Sequence, residues 1–559
     1  MEKVIIWIFL GIYSAGVLYF VIRGALKTKS IDDYAVGSFA FSPVAVGLSL
    51  AAAITSAATF IINPGWVGRY GLSAYLTLAI FMPLGALVSL VVLTKGFRKY
   101  GSVVKAGTMA QWMGARYNSK VYSFIYGILS LLIVSFIVLI LVGLTKVVSK
   151  VTNTGELYVL LGVIIFVFGY MMFGGANSMI YTNTIQAIIM LVVAFLILGS
   201  GYSHFASEGG LFQSIKKIDP LMAKFTYPNS AMFKDIFEIL IIQLVIGFAI
   251  ICQPHIMTKS LMLKSEKDIN KFLVVGIIVE VIFFSVVFAG LYARIHFPEL
   301  LALPDGKEVF LPTADLLAQA KTALGQAASS GLSVAAQSKA ALAAVAGKYV
   351  TYDGLMSAYV AKIFSGDSWY MILALVIVSM GLIAAGMSTL EGLIQSLSTT
   401  ITSDVVVPII DKKLPKENDK RQRMVILINR LIIILIGVGA GLLTWEQLNN
   451  PSGGKTVSLL AINFVYAFFA TALFPIFMGT FFKRVHKNAA IAATLTAFTV
   501  HFGLYYGVGQ GLKVKYLASN PAVPAFFGIV ASFVVGIVLY FVLKNSAESV
   551  DDIMKAHES

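Results

Sequence analysis

Leu48-Ser49-Leu50-Ala51-Ala52-Ala53-Ile54-Thr55-Ser56-Ala57-Ala58-Thr59-Phe60, with Asn63-Pro64-Gly65 close behind, is the stretch on which the reading of the fold turns. It lies inside an apolar segment, about Ser42 to Trp66, long enough to cross a bilayer. A lipid-facing helix would be rich in Leu and Phe. This one is built from small residues and hydroxyls, which let neighbouring backbones come close, and the Pro-Gly pair invites a break. A broken helix at membrane depth frees backbone carbonyls, which is tolerable only where they line a cavity or bind something. Tight packing with no ligand accounts for the small residues equally well, so the stretch needs a partner elsewhere in the chain to mean more.

The surroundings are those of a polytopic membrane protein. Of 559 residues, 58% are hydrophobic and 12% charged, against about 25% charged in soluble domains. The net charge of +15 does not indicate nucleic acid, because Lys and Arg cluster in short connections between apolar runs, the pattern of cytoplasmic membrane loops. The single cysteine, Cys252, allows no internal disulfide and excludes a multi-cysteine metal site.

The first apolar span, Val4 to Val21, is too long for a signal-peptide core and lacks a basic leader beyond Lys3, so it reads as a retained helix. Spans follow at 42–66, 72–93, 121–145, 156–174, 179–200, 236–258, 272–293, 368–399, 424–444, 457–482, 488–508 and 523–543. That is an all-α protein of about thirteen transmembrane helices at roughly 20 residues each. Basic clusters follow spans 1, 3, 7, 9 and 11. They include Arg23, Lys27 and Lys29; Lys95, Arg98, Lys99, Lys105, Arg116 and Lys120; Lys259, Lys264, Lys267 and Lys271; and Lys412 to Arg423. All fall on one side, which places the N-terminus outside and the C-terminus in the cytoplasm of a multi-pass protein of the cell (cytoplasmic or inner) membrane. Lys146, Lys150, Lys513 and Lys515 dissent. Residues 1–543 form the membrane domain, with 297–367 an extracytoplasmic insertion between spans 8 and 9 and 544–559 a short cytoplasmic tail. Within the insertion, Gln319 to Lys348 is Ala-rich and should form short helices.

The partner of the opening stretch is in span 9: Gly381-Leu382-Ile383-Ala384-Ala385-Gly386-Met387-Ser388-Thr389-Leu390. Adjacent hydroxyls in an apolar helix either bond back to a carbonyl one turn earlier or supply hard oxygen ligands to a small cation. With the two stretches together, the sequence resembles the sodium:solute symporter family, whose members carry proline, sugars, sialic acid and monocarboxylates. Asp32-Asp33-Tyr34-Ala35-Val36-Gly37, Gly174-Gly175 with Tyr181-Thr182-Asn183-Thr184-Ile185-Gln186, Ala384 to Leu390, and Pro475, Gly479 and Lys483-Arg484 carry the likeness, which spans nearly the whole chain.

The resemblance implies a leucine-transporter-type inverted repeat, spans 2–6 against 7–11, with spans 1, 12 and 13 peripheral. It also implies a Na⁺ site made of Ala52 and Thr55 from span 2 and of Ala385, Ser388 and Thr389 from span 9. Where many members carry an aspartate in the sixth span this chain has Asn183, which makes a second sodium site there doubtful and a 1:1 stoichiometry or a proton contribution more plausible.

Span 7 closes with Ile251-Cys252-Gln253-Pro254-His255-Ile256-Met257-Thr258-Lys259, similar to the acetate and short-monocarboxylate branch. Pro254 reads as a kink, and His255 as a structural or gating residue at the cytoplasmic end of the helix. Polar groups inside membrane spans are functional candidates by default. Ser56, Thr59 and Asn63 of span 2, Tyr126 of span 4, Gln243 of span 7, and Asn463 and Tyr466 of span 11 are the candidate solute contacts, although helix–helix hydrogen bonding explains each one singly. Glu391, two residues past the sodium motif, either tunes cation binding, takes a proton or sits in a salt bridge. Arg69 reads as an interfacial anchor just beyond span 2.

The expected function is Na⁺-coupled symport of acetate or another short monocarboxylate anion across the lipid bilayer. The alternatives are a sodium-coupled proline, amino-acid or other small-solute symporter and a proton-coupled monocarboxylate transporter. A channel lacks support in repeated pore loops. No HExxH, no GxSxG with partners and no acidic metal cluster points to an enzyme.

Overall fold

The computed structural model describes residues 2–37, 41–206, 209–263, 265–366, 368–449, 457–543 and 548–549. Of the tail expected at 544–559, the described part is Glu548–Ser549, paired antiparallel with Arg484–Val485. The remainder, like residues 264 and 367, lies outside the described residues.

Among the described residues, ten helices are long and apolar enough to cross a membrane, and two bent pairs raise the number to 12. The difference from thirteen is one helix, Glu156–Gly199, of 44 residues. Straight, it would run about 66 Å, more than twice the ~30 Å hydrocarbon core. It is not one rod. Gly175 inside it has φ 54° and ψ −150°, and a Cβ there would lie 2.7 Å from the Tyr34 carbonyl oxygen. Spans 5 and 6 therefore meet end to end at Gly175, and the count by backbone geometry is thirteen.

The two bent pairs are spans 2 and 7, the first helices of the two five-helix sets. In span 2, Pro43–Ile54 and Ala58–Tyr70 meet at 52°. In span 7, Phe237–Ile250 and Pro254–Met262 meet at 61°. Gln253 is extended (φ −78°, ψ 138°) and Pro254 opens the second half, as suits a residue with no N–H to lose at a first helical turn. The Pro254 kink of the sequence reading is thus a full break, and Lys259 is not in a loop.

Other basic residues assigned to loops are also folded in. Lys95, Arg98 and Lys99 lie in the helix Met82–Val103. Arg98 is 7% exposed, and its Nη2 donates to the Leu263 carbonyl at 2.8 Å. Arg116 is 1% exposed, and its Nε donates to the Gly479 carbonyl at 2.5 Å. Guanidinium groups are good partners for the carbonyls left over at helix C-termini, so these cations cap helix ends rather than mark a solvated loop.

Spans 3 and 7 pack backbone to backbone. A Cβ on Gly247 would fall 1.9 Å from the Met82 carbonyl oxygen, and one on Gly85 would fall 2.2 Å from that of Leu244. Small residues give this approach where lipid supplies no hydrophobic drive.

The insertion opens with a hairpin, Glu299–Ala302 against Glu308–Leu311, that the reading above did not anticipate. Its signal is Pro304-Asp305-Gly306 between apolar runs. Helices Ala314–Ser329 and Val334–Ala344 follow, as the Ala-rich composition suggests. They share a small core of Leu301, Leu303, Val309, Leu311, Ala320, Ala341 and Val345, separate from the main one.

The hairpin docks on the far half of span 2. Arg69, in the last turn of that helix, donates to Glu308 at 2.9 and 3.1 Å and to Tyr227 at 2.7 Å. Tyr352 also donates to Glu308. Arg69 is therefore a docking residue rather than a lipid-interface anchor. Burial raises the Glu308 carboxyl, but the hydrogen bonds from Arg69 and Tyr352 and the Arg69 charge outweigh it and hold the group below its ordinary value.

Two outcomes are expected. Gly247→Val forces apart two backbones that cannot yield by a rotamer change, and should cost about 3 kcal/mol, the upper range for overpacking, read as a lower unfolding temperature in detergent. Glu308, with a depressed pKa, stabilises the docked hairpin above the usual carboxylate range, and the contribution is lost as pH falls through the depressed value. The unfolding temperature of the wild type should therefore drop more steeply between pH 6 and the onset of acid unfolding than that of Glu308→Gln; parallel curves would refute the assignment.

Candidate ion and solute site

The break in span 2 is local in origin. Thr55 ends the helix at φ −83°, ψ 92°, and the Ser56 hydroxyl accepts from the Ala58 N–H at 3.1 Å, restarting the chain as a wide turn over Ala58–Ile62. Ser and Thr hydroxyls compete with backbone partners in this way. Ala51, Ala52, Ala53, Thr55, Ser56 and Thr59 are all buried, and Asn63 is half-buried.

Span 9 meets the break directly. Ser388 Oγ donates to the Ala52 carbonyl at 2.7 Å and Thr389 Oγ1 to the Ala53 carbonyl at 3.2 Å. Both hydroxyls also lie within 3.4 Å of the Ala385 carbonyl. Asn183 of span 6 joins from behind, its amide donating to the Ser388 carbonyl at 3.4 Å. The structure thus brings Ala52, Ala385, Ser388 and Thr389 into one cluster of hard oxygens, the donor type that a small alkali cation prefers. Thr55 differs. Its hydroxyl points away from span 9 and donates to Glu280 of span 8 at 2.7 Å.

The break in span 7 lies on the same helix. His255 is 1% exposed and packs against Gly392 of span 9. It is an interior residue of the second half-helix, not one at a solvated helix end. Neither ring nitrogen makes a well-formed hydrogen bond. One turn on, Lys259 is fully buried, with its Nζ donating to Ser49 Oγ of span 2 at 2.8 Å. Glu391 is also fully buried. It accepts from Tyr170 at 2.5 Å, Thr182 at 2.5 Å and Gln186 at 3.0 Å. Three donors satisfy most of a carboxylate's acceptor capacity, so Glu391 ties spans 5, 6 and 9 together. No ion pair within 4 Å joins Glu391 to Lys259 among the described residues.

The remaining candidate contacts separate into two groups. Tyr126 is buried against Met109 and Phe468. Gln243 is buried near the start of span 7, with its Oε1 unpartnered among the described residues. Both lie in the interior of the bundle. Asn463 does not join them, since it holds span 11 to span 12 through His501 at 3.0 Å and Tyr506 at 3.3 Å. Tyr466 packs on Phe469 of its own helix. Two apolar grooves of about 750 and 470 Å³ lie elsewhere, between spans 7, 11 and 13 and between spans 1, 6 and 9.

Three residues of this region escaped the sequence reading: Lys259 as an interior residue, Glu280, and Ser49 as its neighbour's partner. Lys259 was hidden by its position after a proline. Glu280 is the one acid between Asp268 and Glu299, and a carboxylate in the middle of a span is itself a functional signal.

Residues 34–497 match the sodium:solute symporter family. The sodium/pantothenate symporter of Escherichia coli (strain K12) is 23% identical over 531 residues, 93% of each chain. The osmoregulated proline transporter OpuE of Bacillus subtilis (strain 168) is 23% identical and covers 97% of this chain and 95% of its own. A solved structure of a Na⁺-coupled sialic acid symporter, substrate-bound and outward-open, superposes with a TM-score of 0.69 at 15% identity, covering 96% of this chain and 97% of that one, and shares its fold. The chain belongs to the sodium:solute symporter family: it is a multi-pass, sodium-coupled symporter and not an enzyme.

Proposed function

We propose that this symporter imports a small carboxylate, in the first instance acetate or another short monocarboxylate, across the cell membrane by alternating access. The observation that carries the reading is the pair of breaks in spans 2 and 7, both seated on span 9. Broken helices of this kind bind the coupling ion with unwound carbonyls and the solute with half-helix ends. A helix N-terminus offers N–H groups and a partial positive charge to an anion without a buried arginine.

Sodium is held by the carbonyls of Ala52, Thr55 and Ala385 and the hydroxyls of Ser388 and Thr389. Na⁺ stabilises one arrangement of the broken span 2, the solute binds between the breaks near Ser56, Thr59, Tyr126 and Gln243, and the repeats rock about them. The insertion at 297–367 covers the extracytoplasmic end, and the N-terminus lies outside. Pro254-His255-Ile256 favours a short monocarboxylate. The second reading, proline or another small carboxylate such as pantothenate, rests on what the relatives carry.

The test is uptake of radiolabelled acetate into proteoliposomes with and without an inward Na⁺ gradient. The wild type should accumulate acetate only with the gradient. Ser388→Ala with Thr389→Ala should weaken the apparent Na⁺ affinity by more than the ~10–100-fold that follows loss of an outer partner at a metal site. Acetate that fails to move while proline or pantothenate does would replace the substrate. Accumulation that ignores both Na⁺ and the double change would remove the ion site.

A further inference from the structure

Glu280 of span 8 is fully buried, and nothing in the mechanism above uses it. Its Oε2 accepts from Thr55 Oγ1 at 2.7 Å. Its Oε1 has no hydrogen-bond partner among the described residues. The layers on either side are apolar: Leu50 packs on Gly276 one turn before, and Phe60 meets Phe283 edge to face one turn after.

Most segments packed on this part of span 8 (43–54, 58–62, 76–81 and 286–288) contain no ionisable side chain. Helix 82–103 carries Lys95, Arg98, Lys99 and Tyr100 in its second half, where Arg98 is engaged by Leu263, seventeen residues before Glu280. In spans 5 and 6 the ionisable groups are Glu156, Tyr158, Tyr170 and Tyr181. Tyr170 is committed to Glu391, and Tyr181 packs against Phe20 and Phe41. No cation among the described residues of these segments is therefore placed to balance Glu280.

A carboxyl group in such a place, with one neutral donor, is neutralised either by a proton or by a positive partner. What surrounds it is a ligand set for one. Thr55 is where span 2 leaves the helix, so its hydroxyl and the turn behind it offer neutral oxygen beside an anionic one, the donors that hard cations select. This face is not the Ser388 face. Spans 8 and 9 flank the first half of span 2 without packing extensively on one another. Span 9 reaches the carbonyls of Ala52 and Ala53, while span 8 reaches the side chain of Thr55.

We propose that Glu280 and the Thr55 hydroxyl form a second sodium site, on the opposite flank of the span 2 break from Ser388 and Thr389. Two ions then clamp the break from both sides, and the transport cycle couples one solute to more than one Na⁺. The inference rests on the sodium reading of the break given above, and it adds an anionic site to a neutral one.

The experiment is binding of radiolabelled Na⁺ to the purified full-length protein, with no organic solute present, alongside the Na⁺:solute ratio in proteoliposomes. Wild type should bind more than one equivalent. Glu280→Gln, which keeps the shape and the Thr55 contact, should lose one equivalent and lower the coupling ratio. Glu280→Asp should recover part of the binding. Thr55→Val should raise the Na⁺ concentration for half-saturation about tenfold. Should Glu280→Gln prove unstable, Glu280→Asp decides the matter, because it keeps the charge and leaves Thr55 untouched while displacing the carboxylate, and the Na⁺ concentration for half-saturation should rise.

Undiminished Na⁺ binding in Glu280→Gln, or in Thr55→Val, overturns the proposal. So does a Glu280→Gln variant whose only change is in the pH profile of uptake, which would make Glu280 a proton site. Ser388→Ala with Thr389→Ala separates the two readings. If that pair loses Na⁺ while the Glu280 variants do not, only the second site fails. If the pair keeps Na⁺ while Glu280→Gln loses it, the first site fails and the second stands.

Discussion

Backbone carbonyls inside a bilayer must find partners in the protein, and this requirement governs how spans 2 and 9 sit together. Ala52 and Ala53 offer carbonyls at the end of a helix that stops at Thr55, and Ser388 and Thr389 answer with hydroxyls. No lipid could do this. The contact therefore fixes the depth and rotation of span 9 against the break. Span 9 in turn fixes the second half of span 7, which packs on it at His255 and Gly392. Two breaks from two halves of the chain are held on a single continuous helix.

Around that contact the buried polar groups divide by sign and by satisfaction. Glu391 has three donors and fastens spans 5, 6 and 9. Asp404, further along the same helix, accepts from Thr108 at 2.7 Å and Ser123 at 2.8 Å and fastens the short helix before span 4. Both acids are structural joints. Lys259 and Glu280 are different, since each has a single neutral hydroxyl partner, Ser49 or Thr55, on the first half of span 2. That half-helix carries a hydroxyl toward a cation on one side and toward an anion on another, while having no charge of its own.

Much of this was legible in the sequence, and the reasons are particular. Small residues followed by Asn-Pro-Gly announce a broken helix because each alters backbone geometry by itself. Adjacent hydroxyls in span 9 announce a partner because apolar helices rarely carry two. The spans read as 156–174 and 179–200 meet at Gly175 even though the helical hydrogen bonding runs through it. What could not be read was which polar groups fold inward. Arg98, Arg116 and Lys259 resemble loop charges in a linear chain, since the carbonyls of Leu263 and Gly479 and the hydroxyl of Ser49 that receive them are remote in sequence. The hairpin at 299–311 was legible from its Pro-Asp-Gly turn and was obscured by the Ala-rich composition after it.

The separate core of the insertion has a mechanical consequence. Leu301, Val309, Leu311, Ala320 and Ala341 shield one another without help from the membrane spans. The hairpin and its helices therefore keep their own order as one packed unit. The latch that joins them to the spans includes Arg69, Glu308, Tyr227 and Tyr352, the Trp66 and Phe310 rings packed on Tyr352, and Arg294 over the Phe310 ring. Arg69 and Trp66 both sit on the far half of span 2, so any tilt of that half-helix strains or relaxes the latch. The hairpin's attachment and the break at Thr55 thus stand at opposite ends of one half-helix.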